Sequence, residues 1–371
     1  MQNELDETLF DHEHTIVNLS NAILAHYGVK PFHKPLDEAL SLFEGHRKIA
    51  VFLFDALGEV TLNTYKKQSA EFLKNAKFTI YSTNPATTVA STTAFLTAKF
   101  PIETGYLGWS LYFDELGYPV EVFPNTNAIT GEEVGKDNYM EKVCPTTKID
   151  KLLTDNGVDA RLFFPSPIDE NGPKTLKGSF KAASSFFDNG GEFAYIYYPE
   201  PDHSLHKEGL GGRHPKKIIA KAAKYLKRFA KEHPDVLVIS IADHGMANVI
   251  MRDISAFPIL YSYISKPISI EGRTASISIK EGKEKEFEEE FNKRFPNILL
   301  LKRESVLEKG YFGEGEINPK CLEFIGDYVA LSNGPDLLVD SKTTYSMKVH
   351  KGHHAGILPS ERRIVVASWN E

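Results

Sequence analysis

Residues 193–209 read FAYIYYPEPDHSLHKEG, and the change of character inside this stretch decides how the chain folds. The first six residues are apolar and rich in strand-forming types, as suits a strand covered on both sides. The pattern stops at Pro199 and Pro201, and Asp202 and His206 follow four residues apart, with Glu200 just before them. A polar surface loop accounts for such a pair. So does half of a metal site at the C-terminal end of a strand. The rest of the chain has to choose between them.

The same grammar recurs elsewhere. Ile49 to Phe54, Phe78 to Tyr81, Arg161 to Phe164, Val236 to Ile241 and Arg363 to Ala367 are short apolar runs that end in, or begin beside, polar clusters. Between them, residues 216–233 carry Ile218, Ile219, Ala222, Tyr225, Leu226 and Phe229 on one helical stripe with lysines opposite. Residues 150–156 make a shorter helix closed by Gly157. Strands alternating with helices predict an α/β fold: a doubly wound, mostly parallel sheet flanked by helices. From 255 to 321 the character shifts. Thr274 to Ile279 alternates like a half-exposed strand, and residues 283–294 form a charged helix with few apolar anchors. This predicts a small α+β insertion, cap-like, in a core formed by 1–254 and 322–371. The aromatic, Gly- and Asn-rich stretch 106–142 reads as irregular cover over the strand ends.

Composition narrows the class. The 371 residues are 42% hydrophobic and 25% charged, an ordinary globular balance. A formal net charge of −7 argues against a nucleic-acid or anionic-membrane partner. Two cysteines cannot build a disulfide framework, and the acidic start MQNELDETLFDHEH has no signal-peptide core. No stretch approaches the length of a membrane span. The expectation is a soluble cytoplasmic protein.

Ligands of doubly wound sheets bind outside the carboxyl ends of the strands. There this chain places Asp55, the run TNPATTVASTTAFLTA, Asp202 with His206, Asp243 with His244, and, just before the last strand, His353 and His354. Five polar exits are hard to explain as loop solvation. Mixed Asp and His donors suit a borderline metal such as zinc better than magnesium or calcium. Six of them divide into two sites of three, each with an open position. Pro85 stops a strand and 89–98 reads as a helix, so Thr87 or Thr88 lies at a helix N-terminus, where an anion is favoured. An N-cap threonine is the commoner explanation of such a residue. Its place among the metal-bearing strand ends favours a nucleophile instead.

With DALG at Asp55, NPATTVASTTAFLTAKFPIETG, PDHSLH, ADHGM and GHHAG in this order over about four-fifths of the chain, the sequence resembles the alkaline phosphatase superfamily, and within it the nucleotide pyrophosphatase/phosphodiesterase branch. The resemblance implies one zinc held by Asp202, His206 and His354 and another by Asp55, Asp243 and His244, with Thr88 as the nucleophile between them. Manganese or another divalent transition metal is the alternative ion. His354 fits the family's His-before-Gly frame better than His353, and His203 is expected to point away. The branch has Asn, contacting a phosphoryl oxygen, where this chain has Ser91, which becomes the candidate substrate contact. That departure keeps phosphomonoesters and phosphonates open beside phosphodiesters. The sulfatase motif is absent, since CPTTK at Cys144 does not match it, and so is the serine motif of the phosphoglycerate mutases. The expected partner is a small anionic phosphoester, nucleotides included. An inactive metal-binding protein is the distant alternative.

Overall fold

The computed structural model describes residues 6–345 and 348–369; the first five residues of the acidic N-terminal stretch lie outside it. Each apolar run forms a strand: β1 (Lys48–Phe54), β2 (Ala76–Tyr81), β3 (Ala160–Phe163), β4 (Phe193–Tyr198), β5 (Val236–Ile241) and β6 (Arg363–Ser368). Together they make one six-stranded sheet in the order β2-β6-β5-β1-β4-β3. β5, β1, β4 and β3 pair in parallel, whereas β6 runs antiparallel to both β5 and β2. The middle strands β1, β4 and β5 are buried almost throughout, and β2, read from sequence as covered on both faces, is exposed at half of its positions at the sheet edge.

Aromatic residues fasten helices to both faces. On one side Phe52 stacks on Phe180 of the helix Leu176–Asp188, with ring centroids 4.5 Å apart, and meets Phe229 of the helix Arg213–Glu232 at 5.2 Å. On the other, Tyr195 stacks on Phe95 of the helix Thr88–Thr97 at 5.2 Å. Each pair contributes about 0.5–1.5 kcal/mol beyond the burial of its area. The reversed direction of β6 has a positional effect. The segment preceding β6, rather than the one following it, reaches the edge where β1, β4 and β5 end, and that segment carries His354.

A second, seven-stranded sheet is antiparallel throughout. The region 255–321 supplies Ser269–Ile270, Thr274–Ile277 and Ile298–Lys302. The stretch 106–142, read as irregular, supplies Ser110–Phe113, Tyr118–Glu121 and Thr126–Asn127, and Tyr328–Ser332 completes the sheet. Thr274–Ile277 is buried at every position rather than half exposed. Its polar face is satisfied inside: the Thr274 hydroxyl donates to the Ala355 carbonyl and the Ser276 hydroxyl to that of Phe324. Phe287 and Phe291 anchor the charged helix Glu284–Arg294 in a separate core beneath this sheet.

One ion pair joins the two sheets. Arg273, beside Thr274, and Glu361, just before β6, are both fully buried and meet through two 2.7 Å hydrogen bonds. A third donor of Arg273 reaches the Asp336 carbonyl at 2.9 Å. Both cysteines are buried free thiols. Among the described residues, no helix is long and apolar enough to cross a membrane.

Candidate metal centre

Six of the seven ligand candidates fall into two groups of three: Asp202, His206 and His354, and Asp55, Asp243 and His244. Within each group the donor atoms lie within 4.8 Å of one another. Asp55 directly follows β1 and Asp243 follows β5 by one residue, so parallel neighbours deliver both to one edge. Asp202 opens the helix Asp202–Glu208 and His206 lies one turn on, on the same face. The backbone N–H of Asp202 donates to the Asp55 carbonyl at 3.1 Å, which ties the two groups together.

The three histidines are oriented alike. Nδ1 of His244 bonds the Gly245 carbonyl at 2.8 Å, Nδ1 of His206 that of Gly352 at 2.9 Å, and Nδ1 of His354 that of Ala86 at 3.2 Å. A carbonyl can only accept, so each bond fixes a proton on Nδ1 and leaves Nε2 as the atom able to bind a metal, as outer-sphere carbonyls do for metal-binding histidines. These Nε2 atoms face carboxylates: His206 Nε2 is 3.3 Å from Asp202, and His244 Nε2 is 3.3 Å from Asp55 and 3.6 Å from Asp243. The His244 and His354 rings stack at 3.8 Å, which brings the groups side by side.

The donor set fits divalent cations. Asp243 is fully buried beside Asp55, and burial together with that neighbour pushes its carboxyl well above the usual carboxylate range. Burial alone would lower the His244 imidazole, but Asp243 and Asp55 carry it up to about 10. Paired buried carboxylates on this scale destabilise a fold unless a cation compensates them. One oxygen of Asp243 and one of Asp202 are buried without any hydrogen-bond partner, one such atom in each group. A plain hydrogen-bonded network would not leave both acceptors empty.

Thr88 is the first residue of the helix Thr88–Thr97 and Thr87 occupies its N-cap. The Thr88 hydroxyl lies 3.1 Å from His244 Nε2 and 3.3 Å and 3.4 Å from the two Asp55 oxygens. Thr87 does not cap the helix with its side chain. Its hydroxyl donates instead to Glu271, from the second sheet, at 2.5 Å, and the same oxygen accepts the Trp109 N–H at 2.9 Å. Burial pushes the Glu271 carboxyl up to about 7 against these two bonds.

Ser91 lies elsewhere. It is fully buried, with its hydroxyl bonded to Ser82 at 2.7 Å and Thr83 at 2.8 Å, and it fastens the helix to the end of β2 rather than facing the ligand groups. His203 is exposed and bonds Lys207, away from both groups. The aromatic stretch divides: Tyr106 and Phe113 are packed inside, whereas Trp109 is exposed and meets Phe123 edge-on. Sequence reasoning missed Glu271, Tyr197, whose hydroxyl donates to Asp55, and His350, whose ring is 4.9 Å from that of His206. Only Tyr197, at the end of a strand already in view, carried a signal.

Residues 50–293 match the sequence pattern of the type I phosphodiesterase / nucleotide pyrophosphatase family. The chain belongs to that family. Membership places this phosphodiesterase-family protein in the alkaline phosphatase superfamily and makes it a hydrolase of phosphoric esters or anhydrides. No curated protein sequence matches it closely enough to count as a relative. Among solved structures it is similar to murine ectonucleotide pyrophosphatase / phosphodiesterase 5, with a TM-score of 0.63 and 16% identity over 87% of this chain and 88% of that one. An inactive form of that protein in complex with AMP matches to the same degree. Phosphonoacetate hydrolase from Sinorhizobium meliloti 1021, in complex with phosphonoformate, matches with a TM-score of 0.65 and 14% identity over 88% of this chain and 90% of that one. At such identities the likeness concerns the fold.

Proposed function

We propose that this family member is a two-zinc phosphodiesterase or nucleotide pyrophosphatase with Thr88 as its nucleophile, acting on a small anionic phosphoester or nucleotide in the cytoplasm. The observation that carries the reading is the Thr88 hydroxyl, 3.1 Å from the Nε2 of His244 and beside the Asp55 carboxylate, at the start of a helix. Asp202, His206 and His354 would hold one ion, and Asp55, Asp243 and His244, with the Thr88 oxygen, the other; manganese suits the same donors. When bound, such a pair neutralises phosphoryl oxygens and lowers the pKa of a nearby hydroxyl.

The chain's own residues do the rest. Thr88 Oγ bonds to phosphorus as the ester oxygen departs with its electron pair and takes up, through solvent, the proton that Thr88 loses. Water then cleaves the phosphorus–Oγ bond, giving its hydroxyl to phosphorus and its other proton to Thr88 Oγ. With the Thr87 hydroxyl held by Glu271, the first-turn N–H groups of the helix are left for the phosphoryl oxygens. We take 1–254 with 322–371 as the catalytic core, and the region 255–321, which carries Glu271, as a cap.

Hydrolysis of phosphomonoesters or phosphonates is the second reading. It is favoured by the burial of Ser91, which leaves no side chain at that helix position to contact a diester oxygen. Zinc-loaded protein should cleave bis-p-nitrophenyl phosphate faster than p-nitrophenyl phosphate, and a chelator or Thr88→Ala should abolish the activity. Faster monoester cleavage would replace the first reading with the second.

A further inference from the structure

His206 belongs to a second histidine cluster. Its ring lies 4.9 Å from that of His350 and 4.7 Å from that of His353, and those two are 5.2 Å apart. Donor nitrogens of the three lie within 4.8 Å of one another. His353 Nδ1 is 3.0 Å from both the carbonyl and the N–H of His354, and the tautomer that donates to the carbonyl leaves Nε2 as the ligand atom. Among the described residues, no hydrogen bond engages His350. His353 is held by the ribbon that pairs Gly352–His353 with Ala247–Asn248. The cluster faces outward: His350 and His353 are half-buried and Val349 beside them is exposed, whereas His354 is buried.

We propose that His206, His350 and His353 form an outer station for a borderline divalent cation, through which the ion of the Asp202–His206–His354 group is taken up and released. The inference rests on the two-metal reading. Two physical arguments carry it. With Nδ1 bound to Gly352, His206 has one lone pair, so the ion can occupy either group but two ions cannot occupy both. The ion pivots on His206, exchanging His350 and His353 for Asp202 and His354. The outer set is three neutral nitrogens, whereas the inner set includes a carboxylate. The inner position therefore binds more strongly, and the ion moves inward downhill. An all-nitrogen set also holds zinc, cobalt or nickel in preference to magnesium and calcium, so it selects what passes.

The test follows cobalt uptake by the chelator-stripped full-length protein through visible absorption in stopped flow, and its release to excess chelator. Wild type should take up two equivalents. The His350→Gln/His353→Gln variant should also bind two, with an unchanged melting temperature, while uptake and release of one ion both slow by about tenfold, the effect of about 1.4 kcal/mol added to the exchange barrier. The single variants should show intermediate rates, which guards against a misfolded double variant. Unchanged rates in all three variants overturn the proposal. So does a variant that binds fewer ions than wild type, because the two histidines would then be ligands of a resident ion. A third equivalent in wild type overturns it as well, since His206 cannot be shared. Wild type that binds no cobalt defeats the two-metal reading itself, and the station with it.

Discussion

The two sheets of this protein are built on different principles. The first is assembled from contiguous apolar runs, mostly parallel, and its strand ends supply all the ligand candidates. The second is woven from three distant stretches, antiparallel throughout, and reaches the start of the helix Thr88–Thr97 through Glu271. Parallel strands aligned at one edge gather chemistry from many parts of a sequence without any long-range signal between those parts. The antiparallel sheet gathers little chemistry, but it holds the start of the helix Thr88–Thr97 in place. Chemistry on one sheet and alignment on the other is a division that mutations can break.

The largest effect should come from the chemical side. Thr88→Ala should lower turnover by at least about a thousandfold, with two metal equivalents and the melting temperature retained. Measured turnover close to wild type would remove the nucleophile from the first sheet's account. Next comes the joint between the sheets. Arg273→Met leaves Glu361 buried without its partner and should cost about 3–5 kcal/mol in chemical denaturation. A loss under about 1 kcal/mol would mean that the sheets do not depend on the pair.

Glu271 tests alignment through pH. Burial raises its carboxyl from an ordinary 4.5 to about 7, so the folded chain keeps a proton that the unfolded chain has released between those values. The unfolded state binds fewer protons there, so the group's contribution is fully present below pH 4.5 and is lost as pH rises through 7. The loss amounts to roughly 3 kcal/mol in metal-free protein. Glu271→Gln should abolish this slope while keeping an acceptor for Thr87, and denaturation of both proteins across that pH range measures the difference. The smallest effect belongs to Ser91→Ala, which should cost about 1 kcal/mol of stability and leave kcat/KM within about twofold of wild type. A drop of a hundredfold or more, as when a transition-state donor is lost, would return Ser91 to the substrate.

The first sheet was legible because burial on both faces writes an uninterrupted apolar run, and Asp55, Asp202 and Asp243 each stand at or just beyond such an end. The reversed β6 did no harm, because the GHHAG segment lies beside its run whichever way the strand points. The second sheet was only partly legible. Thr274 and Ser276 look like solvent-facing residues, and their hydroxyls are satisfied by carbonyls that sequence cannot locate. Glu271 stands in a turn with no motif around it, and its partner Thr87 is far away in sequence. His350 was invisible for the same reason: its neighbour is the His206 ring, on a different element. Ser91 was placed by helical position alone, which says nothing about whether Ser82 and Thr83 enclose it.

The candidate ligands come from ends of β1, β4 and β5 and from the approach to β6, so an ion in either group would also be a mechanical fastener. It would close loops of chain as a disulfide does, and long loops gain the most from closure. The two cysteines of this protein are unpaired and perform no such task. Reversible staples of this kind would set the protein's durability by the supply of metal around it: a chain starved of ions would lose its resistance to unfolding and proteolysis along with its activity.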